Sequence, residues 1–269
     1  MPRLTRRTPM VTLLFLAGTI ASVTGQQGIR AEPLFPGSLV QPGLHFRALA
    51  GADFNADGLT DLAGVRINGS MEVLLANGDG SFTSVSSPGT LSRPVYSMMA
   101  ADISGDQKPD LLVVTDSDLE VFLNRGAGHF YGPFRYFNAS VAGLAVGDLN
   151  GDGTNDLAIG QGSHKPVIVL YGSPGPFPQP SAQIALPVFD VAALAIDDFD
   201  ADGGQDLAVV QPCGASPSTC DSGLVSILTN ERDGTFRAGK SADVGASAVS
   251  VVTADFNGDG RRDLATLNV

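Results

Sequence analysis

The chain has 269 residues, 43% of them hydrophobic and 16% charged, with 33 Gly, 17 Pro and a formal net charge of −12. That composition is too apolar for a disordered chain, and its acidity gives no basic surface to meet phosphates, so no nucleic-acid partner is expected. The length suits one large all-β domain, and the Gly and Pro content predicts many turns.

Residues 1–25 read as a cleaved secretory signal. Arg3, Arg6 and Arg7 form a basic start, and residues 11–23 form an apolar core of 13 residues, too short to span a bilayer. Export places the protein outside the cytoplasm, extracellular or periplasmic, with no membrane span after cleavage. Residues 26–32 are a linker, and the folded region is 33–269. Within it Phe35 lies where the fourth strand of a repeat would be, without the three strands before it.

The first full unit begins at residue 46. A strand of small residues runs to the loop Asp53, Asn55, Asp57, Gly58 and Asp61, and an apolar strand follows at 62–66. Asn68-Gly69 is a strong two-residue hairpin turn. A third strand covers 71–75, and Phe82 opens a fourth. This is a four-stranded antiparallel meander. The second unit repeats it with Asp102, Ser104, Asp106 and Asp110, but Gln107 stands where the glycine should be. The third carries Asp148, Asn150, Asp152, Gly153 and Asp156, with its fourth strand expected at Phe177. The fourth carries Asp198, Asp200, Asp202, Gly203 and Asp206, and Phe236 opens its last strand. The fifth carries Asp255, Asn257, Asp259, Gly260 and Asp263. It has two strands, and a third is not found before Val269.

The first aspartates of the loops are 49, 46, 50 and 57 residues apart. Five loops at that period indicate a propeller or a similar array. Alternate oxygen-bearing residues before a glycine are what a hard cation needs, because calcium takes six to eight oxygens in a tight turn. Numbering each loop from its first Asp, slots one, three, five and nine offer side-chain oxygens and slot seven a backbone carbonyl. Slot twelve holds Gly64, Val113, Ile159, Val209 and Thr266. An EF-hand needs Glu there, with helices on both sides, and these flanks read as strands. The side-chain slots hold 16 of the 28 acidic residues, so the acidity is mainly ligand supply. Four to five calcium ions are expected, with the second loop the weakest site. Asp197 is read as solvated and outside the shell.

Cys213 and Cys220 flank an insertion in unit four and are read as a disulfide, in keeping with an oxidising compartment. The rival reading, a metal pair, finds no His or third Cys nearby in sequence. The three histidines, His45, His129 and His164, share no motif. No nucleophile-and-base, phosphate-binding or zinc-ligand pattern is present, so no catalytic residue and no enzymatic activity is expected.

The loop pattern Asp-x-Asn-x-Asp-Gly-x-x-Asp-Leu, with Gly-x-Phe about 28 residues later, resembles the FG-GAP/VCBS repeats of integrin-α-type β-propellers and of secreted bacterial proteins. The resemblance covers residues 33–269. It implies an all-β propeller of four-stranded antiparallel blades, about five units here with the last incomplete, calcium between strands one and two, and ligands on the opposite face. Integrin-type propellers have seven units, so the chain is read as a fragment of a longer ring. The rival is a smaller complete ring in which residues 35–40 pair beside 264–267. Three function classes follow: a binding or adhesion module for protein or carbohydrate, the propeller of a lyase-like polysaccharide-active enzyme, or a structural spacer. The first is preferred. Trp, the strongest sugar-stacking residue, is absent, which leaves Tyr96, Tyr131, Tyr136 and Tyr171 as stacking candidates.

Overall fold

The structure, a computed structural model, describes residues 46–85, 88–137, 139–162, 165–173, 182–186, 190–212, 222–232 and 235–269. The expected signal and linker, the segment around Phe35, His45, His164, Phe177, Cys213 and Cys220 lie outside these residues. Among the described residues, no helix is long and apolar enough to cross a membrane.

The architecture is all-β. Blade one is β1 (Phe46–Ala52), β2 (Asp61–Arg66), β3 (Met71–Ala76) and β4 (Phe82–Val85). Blade two is β5 (Val95–Ala101), β6 (Asp110–Thr115), β7 (Leu119–Asn124) and β8 (Phe130–Phe137). Blade three is β9 (Gly143–Gly147), β10 (Asp156–Gly160), β11 (Val167–Tyr171) and β12 (Ala182–Leu186). Blade four is β13 (Ala193–Asp197), β14 (Asp206–Gln211), β15 (Gly223–Asn230) and β16 (Phe236–Gly245). Strands β17 (Ala248–Ala254) and β18 (Asp263–Asn268) pair as a two-stranded sheet. Each four-stranded sheet is an antiparallel meander in chain order, the blade of a β-propeller.

Two features of the sequence dictate this stacking. The second and third strands are apolar at consecutive positions, as in Leu111-Leu112-Val113-Val114, because both faces of a blade are covered by neighbours. The first strands are rich in Ala and Gly because they crowd together: a Cβ on Gly143 would lie 3.2 Å from the Cα of Ala193 on the next inner strand. Strands β5, β9, β13 and β17 line a half-open cavity of about 480 Å³.

The cores lie between blades rather than within them. Ala63, Val65 and Val73 meet Leu111, Val113 and Phe122 across blades one and two. Leu112, Val121 and Ile103 meet Leu157, Ile159 and Ile168 across two and three. Val167, Val169 and Leu149 meet Leu207, Val209 and Leu228 across three and four. Ala208, Val210 and Val225 meet Ala248 and Val251 at the last interface. Burial at about 25 cal/mol per Å² of apolar surface thus stabilises neighbouring pairs, as in any repeat array.

Candidate metal centre

The five loops leave the first strand of each sheet in one shared conformation. In loop one, Asp53 Oδ1 accepts from Asp57 N at 3.1 Å and Oδ2 from Gly58 N at 2.7 Å. Loop three matches it, Asp148 Oδ1 accepting from Gly151 N and Asp152 N and Oδ2 from Gly153 N. Asp102, Asp198 and Asp255 play the same part. These N–H bonds orient the slot-one carboxylate; those from Gly260 and Gly258 hold Asp255 below its ordinary pKa. Slot six has φ between 84° and 86° at Gly58, Gly153, Gly203 and Gly260. There a side chain is strained, which is why glycine recurs. Loop two keeps the shape without glycine, since Gln107 adopts φ 64°.

Slot nine does more than offer a ligand. Asp61, Asp110, Asp156 and Asp206 are fully buried. In each, Oδ2 accepts the slot-two N–H: Phe54, Ile103, Leu149 and Phe199. Oδ1 accepts an N–H from the end of the third strand or just past it: Ala76, Asn124, Gly172 and Asn230, at 2.7–2.9 Å. One carboxylate therefore ties the loop to the meander. Burial pushes Asp110 and Asp156 up to about 6, and it raises Asp61 and Asp206 in the same direction. Asp263 is only half-buried. Its Oδ2 accepts from Phe256 N at 3.0 Å, and no third-strand N–H reaches Oδ1 among the described residues.

Slot two anchors loops one to four in the following blade or sheet. Phe54 is buried edge-on against Phe130 of β8, ring centroids 5.3 Å apart. Ile103, Leu149 and Phe199 enter the next interface likewise. Backbone carbonyls are held as well. Asn124 Nδ2 donates to Phe54 O at 3.1 Å, Asn155 Nδ2 to Asp102 O at 2.8 Å, and Asn230 Nδ2 to Leu149 O. Phe256 of loop five is exposed, and so is Phe82, the blade-one counterpart of Phe130.

The donor set is oxygen throughout, with no sulfur or imidazole, which is the chemistry of a hard cation. In loop four, carboxylate oxygens of Asp198, Asp200 and Asp206 lie within 4.8 Å of one another. Two oxygens each about 2.4 Å from one calcium ion can be no farther apart than that. The residues therefore fit the ion. In the loops with Asn at slot three, the amide oxygen of Asn55, Asn150 or Asn257 accepts the slot-five N–H. The amide nitrogen donates to the slot-five carboxylate of Asp57, Asp152 or Asp259.

Several participants escaped the sequence reading. Lys108, at slot seven of loop two, places Nζ 2.7 Å from Asp106 Oδ2. Against a desolvation penalty, that lysine's ammonium and amide hold Asp106 below its ordinary pKa. Arg232 pairs with Asp202 at 3.1 Å, from a backbone φ of 64° where Gly78 and Gly126 stand in blades one and two. Asp197 is not simply solvated, because it pairs with Arg262 at 3.0 Å and accepts from Thr253 Oγ1 at 2.9 Å, tying sheet four to sheet five. Of the candidate tyrosines, Tyr96 and Tyr131 are exposed. Tyr171 is buried, and burial pushes Tyr136 up to about 12. His129 is exposed in the turn before β8.

The model for the FG-GAP-like repeat matches residues 53–113, 102–159, 148–209 and 198–266. The chain is an FG-GAP-like repeat protein. Each match opens on a slot-one aspartate and reaches into the next blade, so the repeat seen in sequence is one loop plus the interface it enters. No curated protein matches the chain. Among solved structures it is similar to a lectin of Agrocybe aegerita, described for specific recognition of non-reducing terminal N-acetylglucosamine. The TM-score is 0.52 and the identity 21%, covering 81% of this chain and 56% of the lectin. The chain thus spans little more than half the length of that lectin, and the likeness is one of fold.

Proposed function

We propose that this FG-GAP-like protein is a secreted, calcium-binding propeller that acts as a binding or adhesion module for a carbohydrate or protein ligand. The observation that carries the calcium reading is one oxygen arrangement built five times, with slot-one and slot-nine carboxylates fixed by backbone N–H groups. Three or four carboxylates in nine residues repel one another, and a divalent cation removes that repulsion. The ligands would be Asp53, Asn55, Asp57 and Asp61, with their counterparts in loops three, four and five. The ion supplies charge neutralisation and cross-linking, and no reaction step passes through it. Its work is to stiffen loops whose slot-two residues enter the neighbouring blade, so it supports the whole array. Secretion rests on the basic and apolar pattern of residues 1–25. A binding role fits the repeat family and the absence of a catalytic set in the sequence. Carbohydrate is the first ligand class to test, since the structurally similar lectin binds a sugar.

Two measurements test this. Chelator lowers the melting temperature and added calcium restores it, because a ligand held only by the folded state stabilises by mass action. An unchanged melting curve refutes the calcium reading. A glycan and protein array, probed with and without calcium, yields calcium-dependent binding; uniform silence on both arrays refutes the binding module.

A further inference from the structure

Loop two has the backbone of its sisters and a different charge. Asp102 accepts from Gly105, Asp106 and Gln107 in the pattern by which Asp148 accepts from Gly151, Asp152 and Gly153. Lys108 N donates to Asp106 Oδ1 at 3.0 Å, just as Leu59 N donates to Asp57 Oδ1 at 2.8 Å in loop one. Gln107 accepts the left-handed φ of 64° that the other loops assign to glycine. Shape has therefore been kept at a cost in backbone strain, and the change lies in what faces the carboxylates.

What faces them is an ammonium. Slot seven holds Leu59, Thr154, Gly204 and Arg261 in the other loops, and in loop two it holds Lys108, whose Nζ lies 2.7 Å from the slot-five carboxylate. Loops one, three and five each present three carboxylates. Loop four presents four, with Arg232 on Asp202 offsetting the extra one. Loop two presents three, less the charge of Lys108. Loop five has a cation at slot seven too, but Arg261 makes no ion pair with the loop carboxylates among the described residues, and Arg262 beside it pairs with Asp197 of sheet four while also lowering the pKa of Asp255. Ser104 adds only a neutral hydroxyl at slot three, turned to Asp102 at 3.3 Å and nearly buried.

We propose that Lys108 is a built-in counter-ion: the ammonium closes loop two, which takes no calcium in the native protein, while the other four loops take one ion each. This rests on the calcium reading of those four loops. It gives blade two a loop whose charge is balanced at any calcium concentration, beside neighbours balanced only when calcium is present. A divalent ion seated beside the ammonium would meet repulsion worth at least about a factor of ten in affinity, even at the dielectric of water.

The test is calcium stoichiometry of the full chain, by equilibrium dialysis with metal analysis and by titration calorimetry with calcium alone. Native protein binds about four ions, one for each complete loop. Lys108→Met, which keeps the length and removes the charge, binds one more. Ser104→Asn, which keeps Lys108 at slot seven, binds the native number. Should Lys108→Met fail to fold, a second pair decides: Asp106→Asn leaves the ion count unchanged, whereas Asp152→Asn, its counterpart in loop three, lowers it by one. Native protein that binds five ions, a Lys108→Met count equal to the native one, or an ion gained by Ser104→Asn overturns the inference and leaves the calcium reading intact. Native protein that binds none overturns both.

Discussion

Removing the Asp156 carboxylate should cost far more than removing Asp263, although the two occupy the same slot. Asp156 is fully buried and accepts from Leu149 N at 2.8 Å and Gly172 N at 2.7 Å. Asp156→Ala leaves two buried N–H groups without acceptors, at about 1–3 kcal/mol each. Relief of the burial penalty that lifts its pKa to about 6 works the other way. The net expected loss is about 2–4 kcal/mol. For a domain of this size that lowers the melting temperature by roughly 5–15 °C. Asp263 is half-buried and, among the described residues, accepts a single N–H, from Phe256, whose ring is exposed. Water can replace that bond, so Asp263→Ala should cost about 0.5 kcal/mol or less. The assay is thermal and urea unfolding followed by circular dichroism, in chelator, so that no ion contributes. Equal losses, or an Asp156→Ala loss below about 1 kcal/mol, would refute the claim that slot nine ties the loop to the meander.

Other outcomes follow from the same geometry. With calcium present, Asp263→Ala should lose about one bound ion, whereas Ser104→Ala should lose none, read by calcium titration. In chelator, stability should rise as pH falls from about 7 to about 5. Asp110 and Asp156 have folded pKa values raised to about 6, above the unfolded 3.8, so the folded state binds more protons between those values; a melting temperature that falls steadily over that range contradicts this. Asn230→Ala removes amide donations to Leu149 O and Gln205 O and the acceptor for Arg232 N at 2.9 Å. It should cost about 2–4 kcal/mol by denaturant unfolding. Cys213 and Cys220 should be bridged, and non-reducing peptide mapping that finds two free thiols rules this out; reduction should lower stability only slightly, because the loop closed is short.

Much of this was legible in the sequence because a repeat states its period five times. Phe82, Phe130 and Phe236 open fourth strands where the Gly-x-Phe spacing places them, and each loop sits between the strands predicted around it. What spacing cannot state is the partner. Asp110 and Asp263 look alike in a pattern, and only the third strand's N–H separates a buried tie from a half-exposed acid. Lys108 reads as an occupant of a variable slot until its ammonium is seen on Asp106. Asp197 reads as solvated because Arg262 lies 65 residues away in the chain. Tyr171 reads as available for stacking, yet it is buried in the core shared by blades three and four.

The seating of each slot-two residue in the following blade gives the array a direction in time. During synthesis the amino-terminal blade emerges first, and Phe54 has no socket until β8 brings Phe130 against it. Leu149 likewise waits for β14 and β15. Every blade is thus finished by its successor, and the apolar plug left open on a growing chain is always the newest one.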